Sequence, residues 1–175
     1  MKRDIAQLGA KVLRQTATSV EDVGSIDTSQ LIEDLRSSLA STQGVGLAAP
    51  QIGISKQLIV VASRPTSRYP KAPFMEPTIM INPRFINRSD AKEKDWEGCL
   101  SIPGIRALVP RYVNISVQYT NEQGLHVELE LDGFIARVFQ HEYDHLIGKV
   151  FLDRVESNID LFSETEYLKL IEVAV

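Results

Sequence analysis

Hydrophobic and polar positions follow two periods along this chain, and the changes between them mark its elements. Leu31, Ile32, Leu35 and Leu39 recur at spacings of three and four, with Glu33, Asp34 and Arg36 interleaved. That pattern predicts an amphipathic helix with one face on a core, capped by Asp27 or Thr28 and ending at Gln43. Lys56 to Ala62 alternates, is rich in β-branched residues and reads as a strand, as does Thr78 to Asn82. Between them, Arg64 to Pro77 holds four prolines and reads as a surface loop. Asp90 to Asp95 is charged and reads as sheet edge or loop. Arg106 to Tyr119 and Leu125 to Leu131 return to period two, with a hairpin turn at Asn121 to Gly124.

Asp132-Gly133 then opens a helix with two loaded stripes: Phe134, Val138, His141 and His145 on one, Ile135, Phe139 and Leu146 on the other. Such a helix is expected to be buried amid a sheet, with Gly148 ending it. From about Asn158 to Val175, Leu161, Phe162, Leu168 and Ile171 predict a last amphipathic helix. Lys11 to Arg14 has room for one short turn in an otherwise irregular start.

At 175 residues, 43% hydrophobic and 24% charged, the chain is expected to form a single domain over residues 1–175. A formal charge of -4 argues against a surface that coats nucleic acid. No signal-length or membrane-length apolar run is present, so the expected location is the cytoplasm. The single cysteine, Cys99, rules out an internal disulfide and leaves an inert thiol, a reactive one or a ligand.

Chemistry concentrates in three stretches. In His141-Glu142-Tyr143-Asp144-His145, a helix turning about 100° per residue puts both histidines on one face, where two imidazoles can grip one metal ion. Glu142 beside them can act as a general base. Gly44 to Gly53 is nearly free of large side chains and lets a backbone approach closely; Gln51 is its one polar side chain. It has neither the lysine of a phosphate loop nor the glycine spacing of a dinucleotide fold. Cys99 sits between Gly98 and a turn rich in glycine and proline. Position 151 is Phe151, which removes the third histidine of a metzincin pattern. Two sources of a third ligand stay open. Cys99 would give a catalytic Cys-His-His set with an open position, whereas Glu164 or Glu166 would give a thermolysin-like site. A closed structural site would need His126, which the hairpin puts away from the sheet centre.

Gly44-Val45-Gly46-Leu47-Ala48-Ala49-Pro50-Gln51, Glu97-Gly98-Cys99-Leu100-Ser101 and the His-Glu-x-x-His stretch together, and in this order, resemble the peptide deformylase family from near residue 5 to about Arg154. The resemblance implies an α+β fold, with mixed or antiparallel sheets packed around a central metal-binding helix and flanked by an N-terminal and a C-terminal helix. It also implies removal of the N-formyl group from the N-terminal formylmethionine of nascent polypeptides, with release of formate. One divalent metal ion is implied, physiologically Fe2+, with Zn2+, Ni2+ or Co2+ as substitutes. Carried over by residue, Cys99, His141 and His145 hold the metal and Glu142 is the acid/base. Gln51 and the backbone N–H of Leu100 donate to the oxyanion. Val45, Gly46 and Gly98 resemble positions that pair with an extended substrate, and Arg106 steadies its backbone. Phe134 and Val138 line the methionine pocket, with Arg137 at its rim. Glu97 and Arg111 form a supporting ion pair or lie on the surface, and Asp144 either orients a histidine or is solvated. Bacterial relatives often end in a basic helix suited to ribosomal RNA, but this tail carries Glu156, Asp160, Glu164, Glu166 and Glu172 against Lys169. Docking on the ribosome by a cationic helix is therefore not supported, direct nucleic-acid binding is not expected, and other ribosome contacts stay open.

Overall fold

Leu31, Ile32, Leu35 and Leu39 form the buried face of the first helix, α1 (Ile26–Ala40). The cap is Ser25, whose Oγ accepts from the Thr28 N–H at 3.1 Å, two to three residues before the expected Asp27 or Thr28. The helix also stops before Gln43, because the Ser41 and Thr42 hydroxyls donate back to the carbonyls of Ser38 and Leu39 and satisfy its open end. The structure, a computed structural model, describes residues 2–66 and 69–173; the side chains of residues 172 and 173 lie outside that description.

Three strands follow, β1 (Gly46–Ala48), β2 (Leu58–Ser63) and β3 (Met75–Arg88), then β4 (Lys92–Cys99), β5 (Ile102–Tyr112), β6 (Asn114–Thr120) and β7 (His126–Asp132). Helix α2 (Gly133–Leu146), strand β8 (Leu161–Ser163) and helix α3 (Glu164–Val173) complete the order. One sheet runs β1-β2-β3-β6-β7 and the other β4-β5-β8, with every named pair antiparallel.

The first sheet is covered on both faces, which explains why β2 is buried at every position. Leu58 and Val60 meet α1 and Ile79 and Ile81 on one side. Ile59 and Val61 meet Ala136, Val138, Phe139 and Leu146 of α2 on the other. The second sheet closes over the far side of α2, where Ala107, Val109, Val150 and Phe151 pack with Cys99. Helix α2 is thus held between the sheets, as its two loaded stripes predicted.

The structure moves several boundaries. Strand β3 begins at Met75, inside the stretch expected to be loop, and Pro77 falls where the β2–β3 register shifts, so its missing N–H breaks no regular ladder. Residues 67 and 68 of that stretch lie outside the described residues. The expected Arg106-to-Tyr119 strand is two, parted at Val113, because the chain there leaves the second sheet for the first. Asp90 to Asp95 largely belongs to β4, which is charged because it is an edge strand with one face exposed. Leu161 and Phe162 lie in β8 rather than in a final helix, since their backbone pairs with Ala107 and Arg106 and the Phe162 ring packs edge-on against Trp96 at 5.0 Å. The expected end at Val175 lies outside the described residues. Helix α2 ends at Leu146; Gly148 follows with φ +72°, and a side chain there would strike the Arg14 backbone.

Replacing Ser25 with Ala is expected to lower stability by about 1 kcal/mol in chemical denaturation, whereas Asp27→Asn, which removes only an exposed first-turn charge, costs less than about 0.5 kcal/mol.

Candidate active site

Strand β4 ends in a bulge at Gly98, and the register shift between Glu97 and Cys99 turns the cysteine toward α2. Its Sγ lies 3.4 Å from His145 Nε2 and 3.4 Å from Gln51 Nε2, and accepts from the Ser101 N–H at 3.4 Å. The donor atoms of Cys99, His141 and His145 all fall within 4.8 Å of one another. One sulfur and two imidazoles at that spacing suit a single borderline-soft divalent metal and leave a coordination position over. The residues fit the group that the sequence implied.

Burial and charge fix the state of these donors. Glu97 Oε2 lies 2.9 Å from His141 Nδ1. Burial alone would raise the Glu97 carboxyl, but Arg111 and His141 hold it well below the usual carboxylate range. An ionised carboxylate only accepts, so Nδ1 of His141 carries a hydrogen, and in the neutral ring it is Nε2 that keeps the lone pair a metal needs. Burial lowers His145 well below its ordinary value, aided by His141 and Arg111, which also favours the neutral ligand form. For His141, burial pulls the same way but is outweighed by the Cys99 sulfur and Glu97, which raise it in the metal-free site.

Glu97 is the hub of a buried network. Arg111 donates to both its oxygens at 2.8 and 3.0 Å, and Arg137 donates to Oε1 at 3.0 Å. Arg137 also donates to the carbonyls of Val109 and Glu93, each at 2.7 Å. The Glu97–Arg111 pair is thus deeply buried, not on the surface. Asp144 is buried too, yet it meets no histidine; it binds Arg111 and Arg154 at 2.6 Å each. The histidine-orienting part falls instead to Glu97, which reaches His141 from another element. Arg137 likewise spends its donors on this network while it borders the apolar recess.

Glu142 is buried, and its Oε2 has no hydrogen-bond partner among the described residues. Burial is the main reason its carboxyl is pushed up to about 7. Its other side presses on Gly46 so closely that a Cβ there would overlap the carboxylate. Gln51 is oriented by the Ala48 N–H, which donates to its Oε1 at 2.8 Å and turns Nε2 toward Cys99 and Ser101. Phe134 and Val138 line a small recess with Val45, Trp96 and Tyr69. A neighbouring cavity of about 180 Å³ is lined by Gly44, Val45, Gly98, Leu100 and Arg106. The three donors, Glu142 and Gln51 thus lie beside a cleft whose recess is lined by Phe134 and Val138 and whose far bank carries Arg106. His126 is exposed on the hairpin, away from the three donors. Glu164 and Glu166 are engaged by Arg106 and Lys169, which removes the thermolysin-like ligand set. Tyr69 and Ser101 were not foreseen. Tyr69 comes from the proline-rich loop, where no pattern marks it, whereas Ser101 stood beside the cysteine and was readable as a partner for Gln51.

An α+β chain with a His-Glu-x-x-His helix facing a cysteine across a cleft is, in class, a metal-dependent hydrolase. A family model described as polypeptide deformylase matches residues 2–159. The chain is 51% identical over 167 residues to peptide deformylase 2 of Nostoc sp., covering 95% of this chain and 93% of that protein. Among solved structures it resembles the Met-Ala-Ser-bound class I type b peptide deformylase of Acinetobacter baumannii, with a TM-score of 0.86 and 39% identity over 89% of this chain and 99% of that one. It also resembles the actinonin complex of a Synechococcus elongatus peptide deformylase, with a TM-score of 0.79 and 40% identity over 90% of this chain and 80% of that one. The chain belongs to the peptide deformylase family.

Two outcomes are expected from this geometry. Glu97→Gln releases His141 from its tautomer and weakens metal binding roughly 10- to 100-fold in a competition titration. Glu142 costs stability as pH rises, since a carboxyl whose folded pKa is raised keeps its full contribution below the unfolded value of 4.5 and loses it through about 7. In metal-free protein at pH 8, Glu142→Gln is therefore expected to be more stable than wild type by roughly 3 kcal/mol, with the gap closing below pH 4.5 in thermal melts.

Proposed function

We propose that Cys99, His141 and His145 of this peptide deformylase hold one divalent metal, and that Glu142, Gln51 and the Leu100 N–H carry the removal of the formyl group from N-formylmethionyl nascent peptides. The observation that carries this reading is the meeting of the three donors within 4.8 Å beside a buried, unpaired Glu142 oxygen. A divalent metal bound there supplies Lewis acidity toward the formyl carbonyl and the attacking water. Ferrous iron is our assignment by family likeness, and zinc, nickel and cobalt accept the same ligands.

Glu142 takes the proton of the attacking water and passes it to the nitrogen of the leaving amine, giving formate and a free N-terminus. Negative charge builds on the formyl oxygen, and Gln51 Nε2 and the Leu100 N–H are the donors for it; one such donor is typically worth about 3 kcal/mol. β1 and β4 each stand at the edge of a sheet. An extended peptide can therefore lie between them as an added strand, against Val45, Gly46 and Gly98, with Arg106 steadying its backbone. The methionine side chain enters the recess of Phe134 and Val138. That recess is only about 40 Å³, and Tyr69, whose ring lies 4.8 Å from that of Phe134, has to shift to admit it. The Met-Ala-Ser peptide in the A. baumannii relative is what formyl-Met-Ala-Ser becomes once its formyl group is gone.

We read residues 1–175 as one catalytic domain, because α2 is packed against both sheets. No helix among the described residues is long and apolar enough to cross a membrane, and a cytoplasmic site of action follows from the nascent substrate. The acidic start of α3 supports no direct contact with nucleic acid.

Anaerobic purification, metal analysis and formate release from formyl-Met-Ala-Ser test this reading. Cys99→Ala is expected to lose the metal, and Glu142→Gln to keep it while formate release falls at least about 100-fold. Unchanged turnover in Glu142→Gln would overturn the proton transfer, and a protein that keeps its metal in Cys99→Ala would overturn the ligand set.

A further inference from the structure

Glu164 entered the sequence reading as a rival metal ligand and has no part in the chemistry above. It lies beyond residue 159, where the family match ends, at the start of α3. Strand β8 brings it to the cleft by pairing with β5, Phe162 opposite Arg106. There Glu164 Oε1 accepts from Arg106 Nη2 at 2.7 Å. The Arg106 side chain is 8% exposed and that of Glu164 29%. Tyr167, one turn along α3, puts its ring 5.6 Å from the Arg106 guanidinium and 5.0 Å from Trp96. The guanidinium lies against Gly98, where a Cβ would overlap it. Its Nε is buried with no hydrogen-bond partner among the described residues, so a donor is left for an incoming carbonyl.

The cleft sets which part of a peptide reaches this pair. Glu142 abuts Gly46, so the formyl end belongs near Gly46 and Cys99. A strand advances about 3.3 Å per residue, so the residues after methionine run back past Val45 and Gly44 on one bank. Gly98, Arg106 and Glu164 form the other bank of that cavity.

We propose that Glu164 is a positioning residue of the substrate cleft: it holds Arg106 against Gly98 and balances its charge, so that the residues after methionine are accepted whatever their charge. This rests on the deformylase reading above. Without the carboxylate, a guanidinium at the cleft bank would attract acidic residues and repel basic ones. Docking of α3 does not hang on Glu164, because the Trp96–Phe162 and Trp96–Tyr167 contacts anchor it separately.

The test compares kcat and KM of the metal-loaded enzyme on amidated formyl-Met-Ala-Ser and on versions with Asp or Lys as third residue. Wild type is expected to show KM values within about twofold of one another. In Glu164→Gln the Lys-to-Asp ratio of KM should rise roughly three- to fivefold, carried by KM rather than kcat and shrinking at high salt. Glu164→Asp should restore the wild-type ratio, and adding Arg106→Met to Glu164→Gln should abolish the preference. A ratio unchanged in Glu164→Gln, strong charge discrimination by wild type, or an equal loss on all three peptides would each overturn the proposal. Failure of wild type to release formate from any of them would instead overturn the deformylase reading, and this inference with it.

Discussion

A carboxylate cut off from water must find its charge partners within the protein, and the rest of this site depends on where Glu97 finds them. They come from β5 through Arg111 and from α2 through Arg137 and His141. Removing any partner leaves a buried charge partly unmet, so the end of β4, the far end of β5 and one face of α2 are held in a single arrangement. The network adds little net stability over an apolar core of the same volume; its effect is on position. Cys99, two residues along from Glu97, is thereby delivered to the helix that carries His141 and His145.

The same arrangement keeps the two sheets from closing on each other. β1 and β4 are edge strands, and an open edge ordinarily invites pairing with another chain. Here the opening between them is the cavity lined by Val45, Gly98 and Arg106. Each edge is narrowed to bare backbone at a glycine, and each glycine is crossed by a charged side chain: Gly46 by Glu142 and Gly98 by Arg106. A side chain at either glycine would displace a group that the cleft needs, which is a packing reason for glycine rather than a turn requirement.

Much of this was readable from the chain. The 3-to-4 spacing of Leu31, Leu35 and Leu39 gave α1, the two stripes of residues 134–146 gave a helix buried on both sides, and Asn121 to Gly124 gave the hairpin. The readings that needed revision turn on distant partners. Leu161 and Phe162 fit a helical stripe locally, but the unpaired edge of β5 and the face of Trp96 draw them into a strand. Asp144 stands beside a histidine in sequence, yet Arg111 and Arg154 claim it. Tyr69 reaches the recess from a loop without a pattern.

By itself the sequence determined the pairing of His141 with His145 and the placing of Glu142 between them, because helical geometry fixes neighbours within one turn. It also determined which strand faces would be apolar, since side chains alternate with period two whatever the partner strand. Only the tertiary structure decided that the Cys99 sulfur meets both imidazoles, that Glu97 rather than Asp144 holds His141, and that Glu164 meets Arg106. Those meetings join residues tens of positions apart, and their distances are set by how sheets and helices pack rather than by any local period.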